Sequence, residues 1–292
     1  MNFYTNVLQW GNQLFIREVR NGQRINRKVK YEPTLFVPTS QESPYKTLNG
    51  ENVAPRSFHS IKDAKEFIES RKNQPELVFG NNQYAYNYIS DNNSGVVEWD
   101  MEKLLIVTLD IEVECENGFP AVRTAIEPML SITIKNHQNK KIIVWGLNPF
   151  KTDRKDVDYR LCKNEEDLLG QFLKDWELYC PDIITGWNTE FFDIPYLVNR
   201  IKKVLGEDQL KRLSPWKSVQ QREVYQMGRN HQIYNIQGIS ALDYFDLYRK
   251  FTYTAQESYR LDHIAKVELG EQKDGNPFDT FREWYTNDYQ SF

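Results

Sequence analysis

Residues 104–114 read LLIVTLDIEVE, an apolar and β-branched run that predicts a buried strand. The run ends in two acids, Asp110 and Glu112, which project from one face of a strand while Ile111 points the other way. Carboxylates this close repel each other unless a cation lies between them, and Mg²⁺ and Mn²⁺ prefer oxygen ligands. Asp-x-Glu is also a common tripeptide, and a strand that ends in solvent would explain the acids too. This stretch alone leaves both explanations open.

A second polar cluster lies in GWNTEFFDIPYLVNR, residues 186–200. It follows a short apolar strand predicted over 182–187, and Asn188 and Asp193 flank a turn into a helix predicted from 193 to 206. Asp193 would lie in the first turn of that helix, where the helix dipole favours negative charge. A plain helix cap at Asp193 and a loop-closing role for Asn188 remain the alternative.

A third group of acids lies in SALDYFDLYRKF, where a strand is predicted to pass into a helix over 238–251. Asp243 follows the short apolar strand and Asp246 lies one helical turn later, so either could be a metal ligand and both could be helix caps. Asp262 and His263, on a helix predicted over 258–269, are interpreted as surface or structural residues.

The composition limits the class of protein. A chain of 292 residues suggests two domains, and no run approaches the roughly 18 apolar residues of a membrane helix. The 3 cysteines and 4 histidines are scattered, which indicates reduced thiols and argues against a zinc site. The net charge of −4 argues against a simple basic nucleic-acid coat, but a metal-dependent nuclease must concentrate acids at its active site.

The pattern of predicted elements changes near residue 103, where we place a domain boundary. Before it, a hairpin around Asn21-Gly22 and an amphipathic helix over 60–73, capped by Ser60, predict a smaller α+β domain over 1–103. After a turn-rich stretch at 90–103, strands and helices alternate, which predicts an α/β domain with a mixed sheet over 104–292. The strands are predicted over 104–113, 129–135 and 141–147, and the first helix over 165–179.

Together, the first two clusters resemble the ribonuclease H-like 3′–5′ exonuclease domain of family B DNA polymerases. The first motif of that domain, D-x-E, is matched by Asp110 and Glu112, and the second, N-x-x-x-F/Y-D, by Asn188, Phe192 and Asp193. The likeness is closer to the replicative polymerases of T-even-type bacteriophages, whose run GWNxxxFDxPYxxNRI is matched by GWNTEFFDIPYLVNRI. It covers nearly the whole chain but only the first third or so of such a polymerase, and the polymerase motifs D-x-x-S-L-Y-P and D-T-D are absent.

The resemblance implies hydrolysis of 3′-terminal nucleotides from single-stranded DNA, with Asp110, Glu112 and Asp193 as catalytic residues and metal ligands. They would hold two Mg²⁺ or Mn²⁺ ions about 4 Å apart. The family's fourth carboxylate, in a third motif of the Y-x-x-x-D type, is expected a few residues beyond Phe292. We therefore expect this chain alone to bind metal weakly and to cleave slowly or not at all. A polymerase segment, in cis or as a separate chain, would be its partner.

The expected contacts with a primer 3′ end follow from the same resemblance. Phe119 aligns with an aromatic residue that packs on terminal bases, Asn188 and Phe192 belong to the second motif, and Arg229 lies at the tip of a hairpin predicted over 222–237 around Met227-Gly228-Arg229-Asn230. A core position for Phe119 remains the alternative. Further candidates near phosphates are Arg200, Lys202 and Lys203, although a solvated helix face suits the lysines better.

The resemblance also implies action in the cytoplasm of an infected bacterial host, without a membrane partner. The basic run at 20–30 could contact template or RNA, or could be a charged hairpin edge. Two other functions stay open. One is a non-catalytic module with a nuclease-like fold that binds nucleic acid or docks a polymerase. The other is a free-standing ribonuclease H-like nuclease, which the extra N-terminal domain disfavours.

Overall fold

A computed structural model describes residues 2–93, 95–115, 118–226 and 228–292. The chain divides into two compact units, residues 1–103 and 104–292, and each is described by itself. None of the described helices is long and apolar enough to cross a membrane.

The first unit is mostly antiparallel β structure. Strands β1, β2 and β3 form one sheet, and β4, β6 and β5, in that order, form another. Asn21 and Gly22 both have positive φ angles, 52° and 78°, which is the tight hairpin turn that the Asn-Gly pair predicts. The strands β1–β6 are Phe3–Trp10, Gln13–Arg20, Gln23–Lys30, Thr34–Pro38, Tyr45–Lys46 and Asn52–Ser57.

Two α-helices cover this unit, α1 at Ile61–Glu69 and α2 at Tyr84–Asn92, with short 3₁₀ turns at Pro75–Leu77 and Met101–Lys103. The predicted cap of α1 is confirmed, since the Ser60 hydroxyl accepts the Asp63 N–H at 3.2 Å. Helix α2 was not predicted. It is held by burial of two tyrosines, Tyr84 and Tyr88, and no side chain caps its first turn, so the usual sequence signal of a helix start is missing.

The second unit is built on a six-stranded mixed sheet in the order β10-β9-β8-β7-β11-β14. Strand β7 contains the two acids and lies inside the sheet, antiparallel to β8 and parallel to β11. A separate hairpin, β12–β13, stands beside the sheet. The strands β7–β14 are Ile106–Val113, Met129–Asn136, Ile142–Gly146, Val157–Leu161, Ile183–Thr185, Val219–Gln226, Arg229–Ile236 and Ser240–Ala241.

Helices follow the strands as predicted. The first, α3, spans the predicted residues and begins at an Asn164 cap whose side chain accepts the Asp167 N–H at 2.9 Å. The sequence analysis did not predict strand β10, which lies at the sheet edge. Its five residues, VDYRL, do alternate apolar and polar side chains, but the run is short and follows a charged, polar stretch at 151–156. Helices α3–α7 are Glu165–Tyr179, Asp193–Val204, Tyr244–Phe251, Leu261–Leu269 and Phe281–Asn287, and a 3₁₀ segment covers Glu207–Leu213.

Alternation along β7 separates the core from the candidate site. Val107, Leu109 and Ile111 are at most 5% exposed and join a core that includes Phe172 and Trp176 of α3. Burial of a large apolar side chain contributes roughly 1.5–3 kcal/mol, so these residues fix which face of β7 turns inward. Asp110 and Glu112 are consequently on the other face. The α/β class with a mixed central sheet is confirmed, and the architecture is consistent with a ribonuclease H-like exonuclease domain preceded by a smaller β-rich unit.

Candidate active site

The carboxyl end of β7 presents Asp110 and Glu112 side by side. Both are exposed at the surface, whereas Ile111 between them is buried. In the neighbouring strand β8 they lie opposite Thr133 and Ser131, so the register places no charge against them. The expectation that both acids project from one face is confirmed.

Asp193 reaches the same end of β7 from helix α4. It is the first residue of the helix, is 4% exposed, and its Oδ1 accepts the Ile111 N–H at 3.1 Å. That hydrogen bond ties the start of α4 to the backbone between the two exposed acids. Asp193 is more than 80 positions from Asp110 and Glu112 in the chain, yet the fold brings the three acids of the two sequence motifs to the same end of β7.

The three acids perturb one another. Dense protein around Glu112 and, second, the charge of Asp110 raise the pKa of Glu112 to about 7. Desolvation by the surrounding protein also raises the pKa of Asp110, although its side chain reaches the surface. Burial, followed by the charge of Asp110, raises the pKa of Asp193 well above its ordinary value. Lys273, in the loop between α6 and α7, acts in the opposite direction and lowers the pKa of both Asp110 and Glu112. Nothing in the sequence marks this lysine, because only the fold brings its loop to β7.

The donor set fits a hard divalent cation. Oxygen ligands are those that Mg²⁺ and Mn²⁺ prefer, and a cation would stabilise the ionised forms of these acids, which desolvation and, for Glu112 and Asp193, the charge of Asp110 disfavour. In the part of the chain that the structure describes, however, no three Asp, Glu, His or Cys side chains come close enough together to hold a metal ion. Asp110, Glu112 and Asp193 thus fit a metal by chemistry and by location, without a closed coordination shell.

These pKa values predict a pH-dependent cost to stability when divalent ions are removed with a chelator. The folded chain holds a proton on Glu112 up to pH about 7, whereas the ordinary value is 4.5, so stability is lost as the pH rises through this window. We therefore expect Glu112→Gln to raise the melting temperature more at pH 8 than at pH 5. Because Glu112 is exposed, water screens the repulsion, and the gain should be at most about 1 kcal/mol, or roughly 2–4 °C.

Thermal melts of both variants at the two pH values measure this difference. Glu257→Gln, at an exposed loop position, is the matched control and should show the same small effect at both pH values. A Glu112→Gln gain that is equal at pH 5 and pH 8 would contradict the prediction.

A groove of about 350 Å³ lies beside α4 and the β12–β13 hairpin. All four residues that the sequence assigns to DNA contacts line it: Phe119, Asn188, Phe192 and Arg229. Phe191 and His231, which no sequence motif marks as DNA contacts, also line the groove, and their ring centroids lie 4.6 Å apart. Met227, in the predicted hairpin tip, lies outside the described residues.

Phe119 is the most exposed aromatic ring of this groove. Its side chain is 80% exposed, so the alternative of a core position is wrong. Its ring lies 4.9 Å from that of Phe192 at an angle of 48°. Two adjacent rings with one face open to solvent form a surface on which an unpaired base can stack.

The turn from β11 into α4 is tightly packed. A Cβ atom on Gly186 would lie 1.9 Å from the Thr189 Oγ1 and 2.8 Å from the Leu109 carbonyl oxygen, so only glycine fits there. Asn188 has a left-handed backbone with a φ angle of 66°, which asparagine tolerates better than most residues. The turn therefore sets the positions of Asn188 and Phe192 with little freedom.

The other candidate acids have structural partners. Asp243 is the N-cap of α5, and Asp246 pairs with Lys250 at 2.6 Å. Asp262 accepts the Lys273 N–H at 2.8 Å, so it anchors the loop that carries the lysine. These contacts fit caps and surface pairs rather than metal ligands.

The interpretation of Arg200 as a phosphate contact is wrong. Its side chain is buried and makes a two-pronged ion pair with Glu165, at 2.5 and 2.6 Å. Its remaining nitrogen donates to the carbonyls of Ala125 and Ile126 at 3.0 and 2.8 Å. Charge on a helix face could not reveal this, because the partners lie on other elements.

Several known DNA polymerases are similar to this chain. Residues 50–264, well over half of the chain, match the family described as DNA polymerase family B, exonuclease domain. The DNA-directed DNA polymerases of Escherichia phage RB69 and Enterobacteria phage T4 are each 33% identical over 99% of this chain. The DNA polymerase of Pyrococcus glycovorans is 27% identical over 65% of the chain and 22% of its own length. The chain spans 35% of the length of the two phage relatives. It belongs to the family B DNA polymerases and contains their exonuclease domain.

Proposed function

We propose that this chain is the proofreading part of a family B DNA polymerase and hydrolyses 3′-terminal nucleotides from single-stranded DNA. The observation that carries the proposal is the adjacency of the groove to the carboxylates. Phe192 lines the groove, and the next residue, Asp193, is hydrogen-bonded to the backbone between Asp110 and Glu112. A base that stacks in the groove would thus place its phosphodiester near the acids.

In this mechanism the groove selects unpaired ends. A terminal base must leave its partner to stack on Phe119 and Phe192, and a mismatched base does so at the lowest cost. Arg229 at the hairpin would contact the backbone phosphates, and Asn188 would hydrogen-bond the terminal nucleotide. Selectivity for errors then follows from fraying rather than from recognition of a particular base.

Asp110, Glu112 and Asp193 are the residues that would hold two Mg²⁺ or Mn²⁺ ions. When bound, such ions supply a hydroxide nucleophile at neutral pH and stabilise the leaving 3′ oxygen. The charge of Lys273 lowers the pKa of Asp110 and Glu112 and so keeps both acids more ionised near pH 7. The hydrogen bond from the Ile111 N–H fixes the buried Asp193 carboxylate beside Asp110 and Glu112.

The proposed partners follow from the relatives. Both phage relatives are DNA-directed DNA polymerases, so a polymerase segment, in cis or as a separate chain, would deliver the primer end. The site of action would be the cytoplasm of an infected bacterium. RNA at the basic run 20–30 stays a prediction. Within that run Arg27 is already bonded to Glu18 at 2.7 Å and to the Tyr88 hydroxyl at 2.7 Å.

A second candidate function is DNA binding without hydrolysis. It is favoured by the finding that no three metal-binding side chains converge among the described residues. Incubation of the chain with Mn²⁺ and 3′-labelled single-stranded DNA tests the proposal. We expect slow release of the terminal nucleotide, and faster release from a single strand than from a blunt duplex. Tight DNA binding with no release above background would favour the second candidate.

The groove predicts a large effect of Phe119 on DNA affinity. Loss of one stacking ring costs roughly 1–3 kcal/mol, so Phe119→Ala should weaken binding of a single-stranded oligonucleotide by about 5- to 150-fold. Fluorescence of 2-aminopurine at the 3′ end of the oligonucleotide reports stacking directly. The buffer contains a chelator, so that the DNA is not hydrolysed during the measurement. Phe251→Ala, which removes a ring that is 75% exposed and does not line the groove, is the matched control. Equal losses for both variants would indicate that the groove is not the DNA site.

A further inference from the structure

Asp243, which belongs to neither sequence motif, is hydrogen-bonded to the turn at 188–190 between β11 and α4, called the groove turn below. It is 5% exposed, and both of its carboxylate oxygens accept backbone hydrogen bonds. Oδ1 accepts the Asn188 N–H at 2.9 Å, and Oδ2 accepts the Glu190 N–H at 2.9 Å. Only one further bond, from the Phe245 N–H to Oδ1 at 3.0 Å, belongs to its role as the cap of α5.

One of the two residues that Asp243 holds, Asn188, lies in the wall of the groove. Asn188 has the left-handed backbone, and the Asn188 carbonyl accepts the N–H groups of Phe191 and Phe192 at 3.2 and 3.0 Å. One residue later, the Thr189 carbonyl accepts the Ile194 N–H at 2.9 Å. Asp243 is therefore linked through Asn188 to the backbone of Phe191 and Phe192, which line the groove. Residues of the same turn also bond to the first turn of α4.

A helix cap alone does not require this arrangement. A cap needs one acceptor for the first turn of its own helix, and serine or asparagine supplies it as well as aspartate does. Asp243 instead accepts two of its three hydrogen bonds from a separate loop: Oδ2 bonds only to the Glu190 N–H, and Oδ1 is shared between the Asn188 N–H and the Phe245 N–H. A charged acceptor makes such bonds stronger than a neutral one does. Burial of this acid against the DNA-binding turn has a functional explanation that capping lacks.

We propose that Asp243 is a positioning residue for the 3′ end of single-stranded DNA. It fixes the turn at 188–190, so that Asn188, Phe191 and Phe192 form the groove before DNA arrives. This inference rests on the proposed function of the groove as the DNA site. Loss of the carboxylate frees the turn, and the bound strand must then supply the ordering itself, which weakens binding.

The test uses the whole chain with Asp243→Asn and Asp243→Ser. Both substitutions keep a helix cap for α5, but serine is too short to reach the turn and asparagine lacks the charge and the second acceptor oxygen. We expect faster hydrogen exchange in peptides covering 186–192. We also expect affinity for a 3′-2-aminopurine oligonucleotide, measured in a chelator, to fall about tenfold or more.

Asp182→Asn is the matched control. Asp182 is also buried, at 3% exposure, and its Oδ2 accepts the Leu105 N–H at 2.9 Å. It lies before β11, however, whereas the groove turn lies after β11. This variant should lose stability without losing DNA affinity. Unchanged exchange at 186–192 in both Asp243 variants would overturn the inference, and so would faster exchange with unchanged affinity. Failure of the proposed function would show differently, because the wild-type chain itself would not bind the oligonucleotide while the exchange data still reported on the turn.

Discussion

Asp110→Ala is expected to remove Mn²⁺-dependent release of 3′-terminal nucleotides by this chain. Asp110 is the one acid whose charge raises the pKa values of both Glu112 and Asp193, so it lies between them electrostatically. A cation bound by the three acids would lose one of its ligands in this variant. Loss of an outer-shell partner alone costs about 10- to 100-fold in metal affinity or activity, so loss of a direct ligand should exceed about 100-fold.

The measurement needs two readouts, because the wild-type rate is itself expected to be low. Release from a 3′-labelled single strand gives the activity, and electron paramagnetic resonance of free Mn²⁺ gives the metal affinity. Both should fall in Asp110→Ala and stay unchanged in Asp153→Ala, which removes an exposed loop acid. Release of the terminal nucleotide by Asp110→Ala at the wild-type rate would contradict the assignment of the site. Affinity for DNA should be retained, since Asp110 does not line the groove.

The position of the candidate site was predictable because local rules and the fold agree there. Period-two alternation assigns Asp110 and Glu112 to one face of β7, and the helix signal after Asn188 puts Asp193 at the start of α4. Both rules concern neighbours along the chain. The apolar residues between the acids then fix which face is buried.

The sequence could not predict partners that come from distant elements. Lys273 acts on Asp110 and Glu112 from a loop between two helices, and Asp243 holds a turn more than fifty positions upstream, at Asn188 and Glu190. No periodicity or motif encodes such contacts. Edge strand β10 is a different case, because its sequence VDYRL does alternate apolar and polar residues, but five residues after a charged stretch are too short a signal to predict a strand.

Among these contacts between distant elements, the ion pair of Arg200 has the largest expected effect on stability. Its side chain and that of Glu165 are only 9% and 13% exposed, and Glu165 also accepts the Met129 N–H at 2.9 Å. The pair thus joins α3, α4 and the start of β8. Removal of one partner of a buried ion pair leaves the other charge unpaired, so Arg200→Ala should lower the free energy of unfolding by about 3–5 kcal/mol.

Urea titration of the chain measures this loss, and Lys203→Ala is the control. Lys203 lies on the same helix but donates only a 3.3 Å bond to the Thr124 carbonyl from an exposed position, so its loss should stay within about 0.5 kcal/mol. Replacing both partners, Arg200→Met with Glu165→Met, should recover much of the stability, since no charge is then left buried. If Arg200 contacted phosphate instead, Arg200→Ala would spare stability and reduce the salt dependence of DNA binding. The guanidinium is fully engaged by Glu165 and two carbonyls, so we expect the DNA affinity of the folded fraction to be unchanged.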